Sequence, residues 1–182
     1  MADDIYGNET LRERLIIAGI DEISRRGIAD FSLRRVASAC NISCAAPYKH
    51  FKNKEDMILS IITFINDKWV MFRQGIAEMY EGNPRKQLVE ISIAYIRFWI
   101  ANPNYLSALY KSGNAVEDRE GLSEIIGDYC REKGLSTDEW REKELFLRAF
   151  LNGAVNMLDR HEIENNGQTF SGIRKIIERE IK

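Results

Sequence analysis

The stretch Ser32-Leu-Arg-Arg-Val-Ala-Ser-Ala-Cys-Asn-Ile-Ser43, followed by Cys44-Ala-Ala-Pro-Tyr-Lys-His-Phe-Lys-Asn-Lys-Glu55, decides the fold. Its apolar side chains recur at steps of three, one and three residues, at Leu33, Val36, Ala37 and Cys40. This spacing predicts a two-turn helix with one buried face, and Ser32 is a favourable N-cap for it. A turn is predicted at 41–43, because Asn is one of the few residues that tolerate a left-handed backbone.

A second short helix is predicted from Cys44 to about Phe51, with Ser43 as its cap. Pro47 falls within its first turn, where a missing N–H costs little because these groups lack intrahelical acceptors. Its polar residues cluster at Tyr48, Lys49 and His50, while Ile42 and Phe51 are expected to anchor its back. Two short helices joined in this way form a helix-turn-helix, although periodicity alone is a weak signal for one.

The charge distribution favours a local anion-binding face. The formal net charge of the whole chain is −2. Residues 31–54 nevertheless contain no acidic side chain and carry the basic residues Arg34, Arg35, Lys49, Lys52 and Lys54. A confined basic patch on a mildly acidic protein is typical of a site-specific DNA reader, since only the docking face meets phosphates.

The same stretch closely resembles the DNA-binding module of the tetracycline-repressor (TetR) family. The matches in register are Val36-Ala37, Ile42-Ser43, Tyr48-x-His50-Phe51 and Lys54-Glu55, with Ala18, Ile23 and Gly27 in the preceding helix. The resemblance covers about residues 9–69; beyond them only the architecture is similar. Asn41 stands where the family usually has Gly, and Gly19 stands where Ala is usual, at an expected cost of about 1 kcal/mol to the first helix.

The resemblance implies a set of DNA contacts. Tyr48 and His50 resemble the phosphate-contacting pair of the family, and Lys54 resembles the residue that meets a phosphate at the start of the next helix. Arg34 stands where a base or a phosphate can be reached. The full predicted set is Ser32, Arg34, Ser43, Cys44, Ala45, Ala46, Tyr48, Lys49, His50 and Lys54. For Arg35, Lys49 and Lys52 individually, a solvated charge is an equally good interpretation.

The rest of the chain also reads as helical, so the fold class is predicted to be all-α, with about nine helices. They are expected near 9–26, 33–40, 44–51, 54–81, 85–101, 103–111, 118–133, 138–162 and 169–181. The break Gly82-Asn83-Pro84 separates two predicted domains. A three-helix DNA-binding domain is expected at 8–69, and a larger effector-binding and dimerisation domain at 84–182.

The resemblance implies two further sites in the second domain. A pocket for a small-molecule effector is predicted from large side chains at Trp69, Phe72, Tyr95, Phe98, Trp99, Tyr110, Phe146 and Phe150, although for any single one of them ordinary core packing is the better interpretation. A homodimer interface is predicted at Ala149, Gly153, Met157, Phe170, Ile173 and Ile177. It rests on two observations: the helix near 138–162 is apolar on more than one face, and the last helix offers a single apolar stripe with little else to cover it.

These features favour a regulator over other classes of protein. We expect a repressor that leaves a palindromic operator when an apolar or aromatic ligand binds; the alternatives are a DNA-binding regulator without an effector and a helical enzyme. The enzyme is disfavoured because the two histidines, His50 and His161, belong to no catalytic motif. No metal, cofactor or membrane span is expected, and the three cysteines lack zinc-site spacing. The acidic start at Asp3 and Asp4 favours a cytoplasmic location.

Overall fold

The computed structural model describes residues 10–112 and 119–181, without the side chains of 109–112 and 119–122. Within these residues the chain forms helices and no strand, which confirms the all-α prediction. The α-helices are α1 (Leu11–Arg26), α2 (Leu33–Ala39), α3 (Lys54–Met79), α4 (Pro84–Ala101), α5 (Pro103–Ser112), α6 (Arg119–Lys133), α7 (Thr137–Asp159) and α8 (Gly167–Glu180). A 3₁₀ helix, Ala46–Lys49, lies between α2 and α3. None of the helices described is both long and apolar enough to cross a bilayer.

The chain divides into two compact units. The first holds the described residues up to Asp67 together with those of Asn104–Val116, and the second holds Lys68–Pro103 and those of Glu117–Lys182. Helix α3 therefore contributes residues to both units. The functional domains expected at 8–69 and 84–182 remain a prediction; residues 8 and 9 lie outside the described part.

Helix α1 has clear start and stop signals. Thr10 is its N-cap: the backbone N–H of Glu13 donates to the Thr10 hydroxyl (3.2 Å), and the Thr10 N–H donates to the Glu13 carboxylate (2.9 Å). Gly27 ends the helix with φ 77°, a conformation that glycine adopts without steric cost. The face of α1 that enters the core of the first unit carries Leu15, Ile16, Ile20 and Ile23.

The glycine of α1 has a packing role that its helix propensity does not reveal. A Cβ placed on Gly19 would lie 2.6 Å from Cδ1 of Ile61 and 2.9 Å from Cε of Met57, both on α3. These distances are below normal van der Waals contact, so the absence of a side chain at Gly19 leaves room for the side-chain ends of Ile61 and Met57 against α1. The expected cost of Gly19 to α1 is thus set against the packing of these two side chains over it.

In the second unit α4 is the central helix. It packs against α6, α7 and α8, and its buried residues point in several directions around the helix: Leu88, Val89, Ile91, Ser92, Ile93, Ala94, Ile96 and Trp99. Helix α7 begins with a capping box of Ser136 and Glu139. The hydrogen bonds from Ser136 hold the pKa of the Glu139 carboxyl below its ordinary value.

Helix α8 is held to the second unit at both its middle and its end. The guanidinium of Arg174 donates to both carboxylate oxygens of Glu90 on α4, at 2.7 and 2.8 Å. Arg85 Nε donates to the carbonyl of Ile181 (2.6 Å), and Arg85 also donates to the carbonyl of Glu178 (3.2 Å). A cation at the C-terminus of a helix is favourable because the last carbonyls lack intrahelical donors.

Candidate functional site

The predicted helix-turn-helix is present, with a left-handed turn. Asn41 has φ 56°, as the sequence predicts, and the N–H of Ile42 closes the turn onto the carbonyl of Ala37 at 3.1 Å. Ser32 occupies the N-cap of α2, but its side chain makes no capping hydrogen bond. Helix α2 packs on both α1 and the 3₁₀ helix, so the second element is held by the first.

The second element is a single 3₁₀ turn, and the prediction of an α-helix from Cys44 to Phe51 was wrong. Pro47 has no N–H to donate, and the bonds that close the turn include 2.9 Å contacts from the N–H groups of His50 and Phe51 to the Pro47 carbonyl. Ser43 does not cap this element with its hydroxyl: its carbonyl accepts from Ala46 (3.0 Å), and the N-cap position belongs to Ala45.

The element has a polar front and an apolar back. Tyr48 is 60% exposed, whereas Phe51 is only 1% exposed. Pro47 is also buried, Ile42 is half-buried, and the guanidinium of Arg12 lies 5.3 Å from the centroid of the Phe51 ring. Among the predicted DNA-contacting residues the exposed ones are Arg34, Ser43, Cys44, Ala45, Tyr48, Lys49 and His50; Ser32, Ala46 and Lys54 are half-buried.

The basic residues of this region are in different situations. Arg35 is engaged within the chain, because its Nε donates to the Glu22 carboxylate at 2.6 Å and its guanidinium also donates to the carbonyl of Asp30. Lys54 donates one N–H to the carbonyl of Ala29 (3.1 Å). An ammonium has three donors, so this bond fixes the position of Lys54 and leaves its other donors for a second acceptor.

Five residues of the predicted effector pocket form one aromatic cluster in the second unit. We define the cluster as Trp69, Phe72, Tyr95, Phe98 and Trp99. The ring of Trp69 lies 5.3 Å from Tyr95 and 5.4 Å from Phe98, and Phe98 lies 5.8 Å from Phe72 and 5.0 Å from Trp99, between centroids. Phe146 and Phe150 stack on each other on α7 (5.6 Å), and the side chain of Tyr110 lies outside the described ones.

A groove that sequence reasoning missed lies elsewhere in the second unit. Its volume is about 460 Å³, and it is lined by Arg97, Ile100, Ala101, Asn165, Asn166, Gly167 and Phe170. Phe170 was predicted to lie in the dimer interface; here its half-buried ring packs under the Arg97 guanidinium, 5.0 Å from the ring centroid. No sequence motif predicts this groove, because the two segments that line it lie far apart in sequence.

The residues predicted for the dimer interface fall into two groups. Ala149, Gly153 and Met157 are exposed and recur every four residues on α7, in line with Leu145, which is 72% exposed. Ile173 and Ile177 are buried in the chain's own core, at 6% and 0% exposure. The expectation that little of the chain covers α8 was therefore wrong. The buried face of α7 is the one with Leu147, Leu151, Ala154, Val155 and Leu158.

Comparison with known proteins supports this interpretation of the N-terminal part. A family model described as "Bacterial regulatory proteins, tetR family" matches residues 15–61. The uncharacterized HTH-type transcriptional regulator YerO of Bacillus subtilis (strain 168) is 32% identical over 82 residues, which cover 45% of this chain and 28% of that protein. The chain thus matches less than a third of the length of this relative.

Solved structures show the same fold along nearly the whole chain. A TetR-like transcriptional regulator from Rhodococcus sp. RHA1 superposes with a TM-score of 0.67 at 19% identity, covering 96% of this chain and 95% of that one. The transcriptional regulator FadR from Bacillus subtilis, solved with stearoyl-CoA, gives 0.68 at 12% identity, covering 93% and 99%. With the helix-turn-helix in place, these likenesses agree with the match of the family model. Residues 15–61 therefore match the TetR family of bacterial regulatory proteins, and the chain as a whole shares the fold of TetR-like regulators.

Proposed function

We propose that the protein is a transcriptional regulator that binds a palindromic DNA operator as a homodimer. The observation that carries this proposal is the division of residues 46–51, the 3₁₀ helix and the two residues after it, into an exposed front with Tyr48, Lys49 and His50 and a buried back with Pro47 and Phe51. An element with these two faces can enter the major groove while its back stays on the core of the module. The small residues Ala45 and Ala46 permit close approach to base edges.

Electrostatics favours the same surface. Arg34, Lys49 and Lys52 are exposed within a segment that carries no acidic residue, so phosphates meet no repulsive side chain from residues 31–54. Lys54, positioned by the carbonyl of Ala29, stands at the first residue of α3. There its ammonium can bind a phosphate together with the first N–H groups of the helix.

The homodimer is proposed from the exposed stripe Leu145, Ala149, Gly153 and Met157 on α7. A Cβ on Gly153 would have no atom within 4 Å, so this part of the stripe is open in the single chain. Small residues one turn apart let a second helix approach closely. A two-fold dimer presents two identical copies of the 3₁₀ helix to DNA, which is why a palindromic operator is the expected partner.

We propose that the protein represses transcription and that repression ends when an apolar or aromatic ligand binds. The aromatic cluster offers the packing surface, and the fold of FadR, whose structure contains stearoyl-CoA, shows that a related architecture can hold an acyl compound. Helix α3 carries Lys54 at one end and Trp69 and Phe72 further along. A ligand that favours a displaced α3 would lower operator affinity, with a coupling free energy of about 1–3 kcal/mol.

The test is selection of binding sites from random duplex DNA, followed by sedimentation of the complex. Enrichment of a palindrome with two chains per duplex is expected. Enrichment of no palindrome would contradict the proposal. Apolar compounds are then titrated into the complex; release of the duplex supports effector control, and a compound that binds the protein without releasing DNA favours a regulator without an effector.

A further inference from the structure

Trp99 buries a hydrogen-bond donor for which the described residues supply no acceptor. Its side chain is 0% exposed, and among the described residues its indole Nε1 makes no hydrogen bond. Buried polar groups in proteins are nearly always paired, because the N–H loses its bonds to water and gains nothing in return. An indole N–H can donate only, so the missing partner must be an acceptor atom.

The surroundings of Trp99 are aromatic and reach the surface of the second unit. Phe98 packs edge-on against Trp99, with centroids 5.0 Å apart, and Phe72 stacks on Phe98 at 5.8 Å with an angle of 29° between the rings. Phe72 is 47% exposed, whereas Trp69 is only 2% exposed. The cluster therefore runs in unbroken ring contacts from a solvent-exposed edge at Phe72 to the buried indole of Trp99.

A second buried polar atom lies on the same side of α4. Ser92 precedes Trp99 by seven residues, which is two helical turns, so both side chains leave the helix on one face. The Ser92 hydroxyl is 0% exposed and also lacks a partner among the described residues. All of the buried residues of α4 are uncharged, so this helix itself offers no charge to pair with an ionised acceptor.

We propose that Trp99 is the donor that recognises the effector, an apolar molecule with a carbonyl-type oxygen. The apolar part of this ligand packs among the rings of the aromatic cluster, and its oxygen accepts the hydrogen bond from Trp99 Nε1. Ser92, two turns away on the same face of α4, supplies a second polar contact. This inference rests on the proposed effector-binding function and adds the chemical class of the ligand to it.

The experiment uses two pairs of probes in which the carbonyl group of a ketone is replaced by a methylene group: benzophenone with diphenylmethane, and acetophenone with ethylbenzene. Affinities for the intact protein are measured by calorimetry. The ketone of each pair is expected to bind about tenfold more tightly than the hydrocarbon, the usual effect of pairing a buried N–H. Trp99→Phe, which keeps an aromatic ring but removes the donor, is expected to abolish this preference. Trp140→Phe, which removes an indole donor on α7 outside the cluster, is the matched control and is expected to keep it.

A second readout needs no substitution. The chain has three tryptophans, so its indole N–H groups give three signals in a nitrogen–proton correlation spectrum. The Trp99 signal is expected to move downfield with the ketones and not with the hydrocarbons, while that of Trp140, which packs against Gly127 on α6, stays in place. Binding without a preference for the ketone, an equal preference in Trp99→Phe, or no binding of any probe overturns the inference.

Operator binding is measured in parallel with the same samples. If the ketones bind through Trp99 but never change operator affinity, the inference stands and effector control is refuted. If the protein binds its operator and no ketone preference is found, the DNA-binding proposal stands and the role of Trp99 is refuted. The two proposals therefore fail in different measurements.

Discussion

Arg35 of α2 is tied to Glu22 of α1, with 2.6 Å between Nε of the arginine and Oε1 of the glutamate. The Glu22 side chain is only 11% exposed, and that of Arg35 is 43% exposed. This ion pair links α1 and α2, so Arg35 holds the two helices together even without a partner molecule, which its position in a basic segment does not reveal.

We expect Arg35→Gln to lower the free energy of unfolding more than it lowers operator affinity. The loss should be about 0.5–1 kcal/mol, since the pair is partly exposed and screened by solvent. Chemical denaturation and DNA titration of the same variant check this. Arg34→Gln, an exposed neighbour, is the matched control and should show the reverse pattern. A large loss of operator affinity in Arg35→Gln at unchanged stability would contradict the assignment.

The exposed front of the 3₁₀ helix gives a prediction about salt and specificity. If about six phosphates are neutralised per dimer, log affinity should fall with log salt at a slope of roughly −5. Tyr48→Ala should weaken binding to all sequences alike, while Lys49→Ala should also relax base preference. Fluorescence anisotropy on operator and scrambled duplexes measures both effects. Lys175→Ala, an exposed charge on α8, serves as the control and should change neither value.

The left-handed turn at Asn41 predicts an unusual order of stabilities. Asn41→Gly should be as stable as the parent or more so, because glycine adopts φ 56° without strain. Asn41→Ala should lose about 1 kcal/mol, since a Cβ is unfavourable in this region of backbone conformation. Thermal unfolding of the three proteins is the measurement. An alanine variant as stable as the glycine variant would show that the turn can change its conformation.

The pair of Glu90 and Arg174 predicts a dependence of stability on pH. The hydrogen bond from Arg174 holds the pKa of the Glu90 carboxyl below its ordinary value, which is about 4.3. The ionised carboxylate thus stabilises the folded state: its contribution is complete above the unfolded pKa and is lost as the pH falls through the lower, folded pKa.

Glu90→Gln should therefore cost about 1 kcal/mol at pH 7, and the difference from the parent protein should shrink as the pH falls below the ordinary carboxyl value and through the lower pKa of the folded state. Urea unfolding between pH 3 and 7 checks it. Glu178→Gln is the control on the same arginine, because Glu178 lies farther from it, at 3.8 Å, and should have a smaller effect. If the difference in unfolding free energy between the parent and Glu90→Gln grew as the pH fell, the predicted direction of the pH dependence would be wrong.

The open stripe on α7 predicts how the dimer can be broken. Gly153→Arg should leave the single chain folded, because no atom lies within 4 Å of its future Cβ, but should place a charged side chain in the proposed interface. Sedimentation equilibrium should show a monomer at micromolar concentration. Gly75→Arg, at an equally open position on α3, is the matched control and should remain a dimer. A dimeric Gly153→Arg protein would move the interface elsewhere.

The order of the helices and most of their approximate bounds could be predicted from the sequence, because several helix ends have a local signal. Thr10 with Glu13, Gly27 and Asn83 before Pro84 mark starts and stops that depend on neighbours in sequence alone. That the second helix of the helix-turn-helix is a 3₁₀ helix and not an α-helix could not be predicted in this way. The spacing of Pro47 and Phe51 suits either an α-turn or a 3₁₀ turn, and the choice depends on how the back of the element packs.

Long-range relationships carry no such signal. The apolar stripe with Ile173 and Ile177 shows that α8 must be covered, but not whether this chain or a second copy covers it. Glu90 and Arg174 lie 84 residues apart, and the sequence around either residue does not predict that they form an ion pair. The same holds for Gly19, which looks like a weak point of α1 until the side chains of α3 are seen beside it.

The single 3₁₀ turn has a consequence for the dynamics of recognition. A segment of one turn, with Pro47 lacking an amide, has no ladder of successive hydrogen bonds to resist local opening. Its amides at 48–50 should exchange with deuterium far faster than those in the middle of α1 or α3. Contact with a duplex would slow that exchange, so the element becomes fully ordered only when bound. At mismatched sites the contacts would not offset the free energy of ordering the segment, so the protein would dissociate quickly. Discrimination between sites would then appear in the dissociation rate rather than in the association rate.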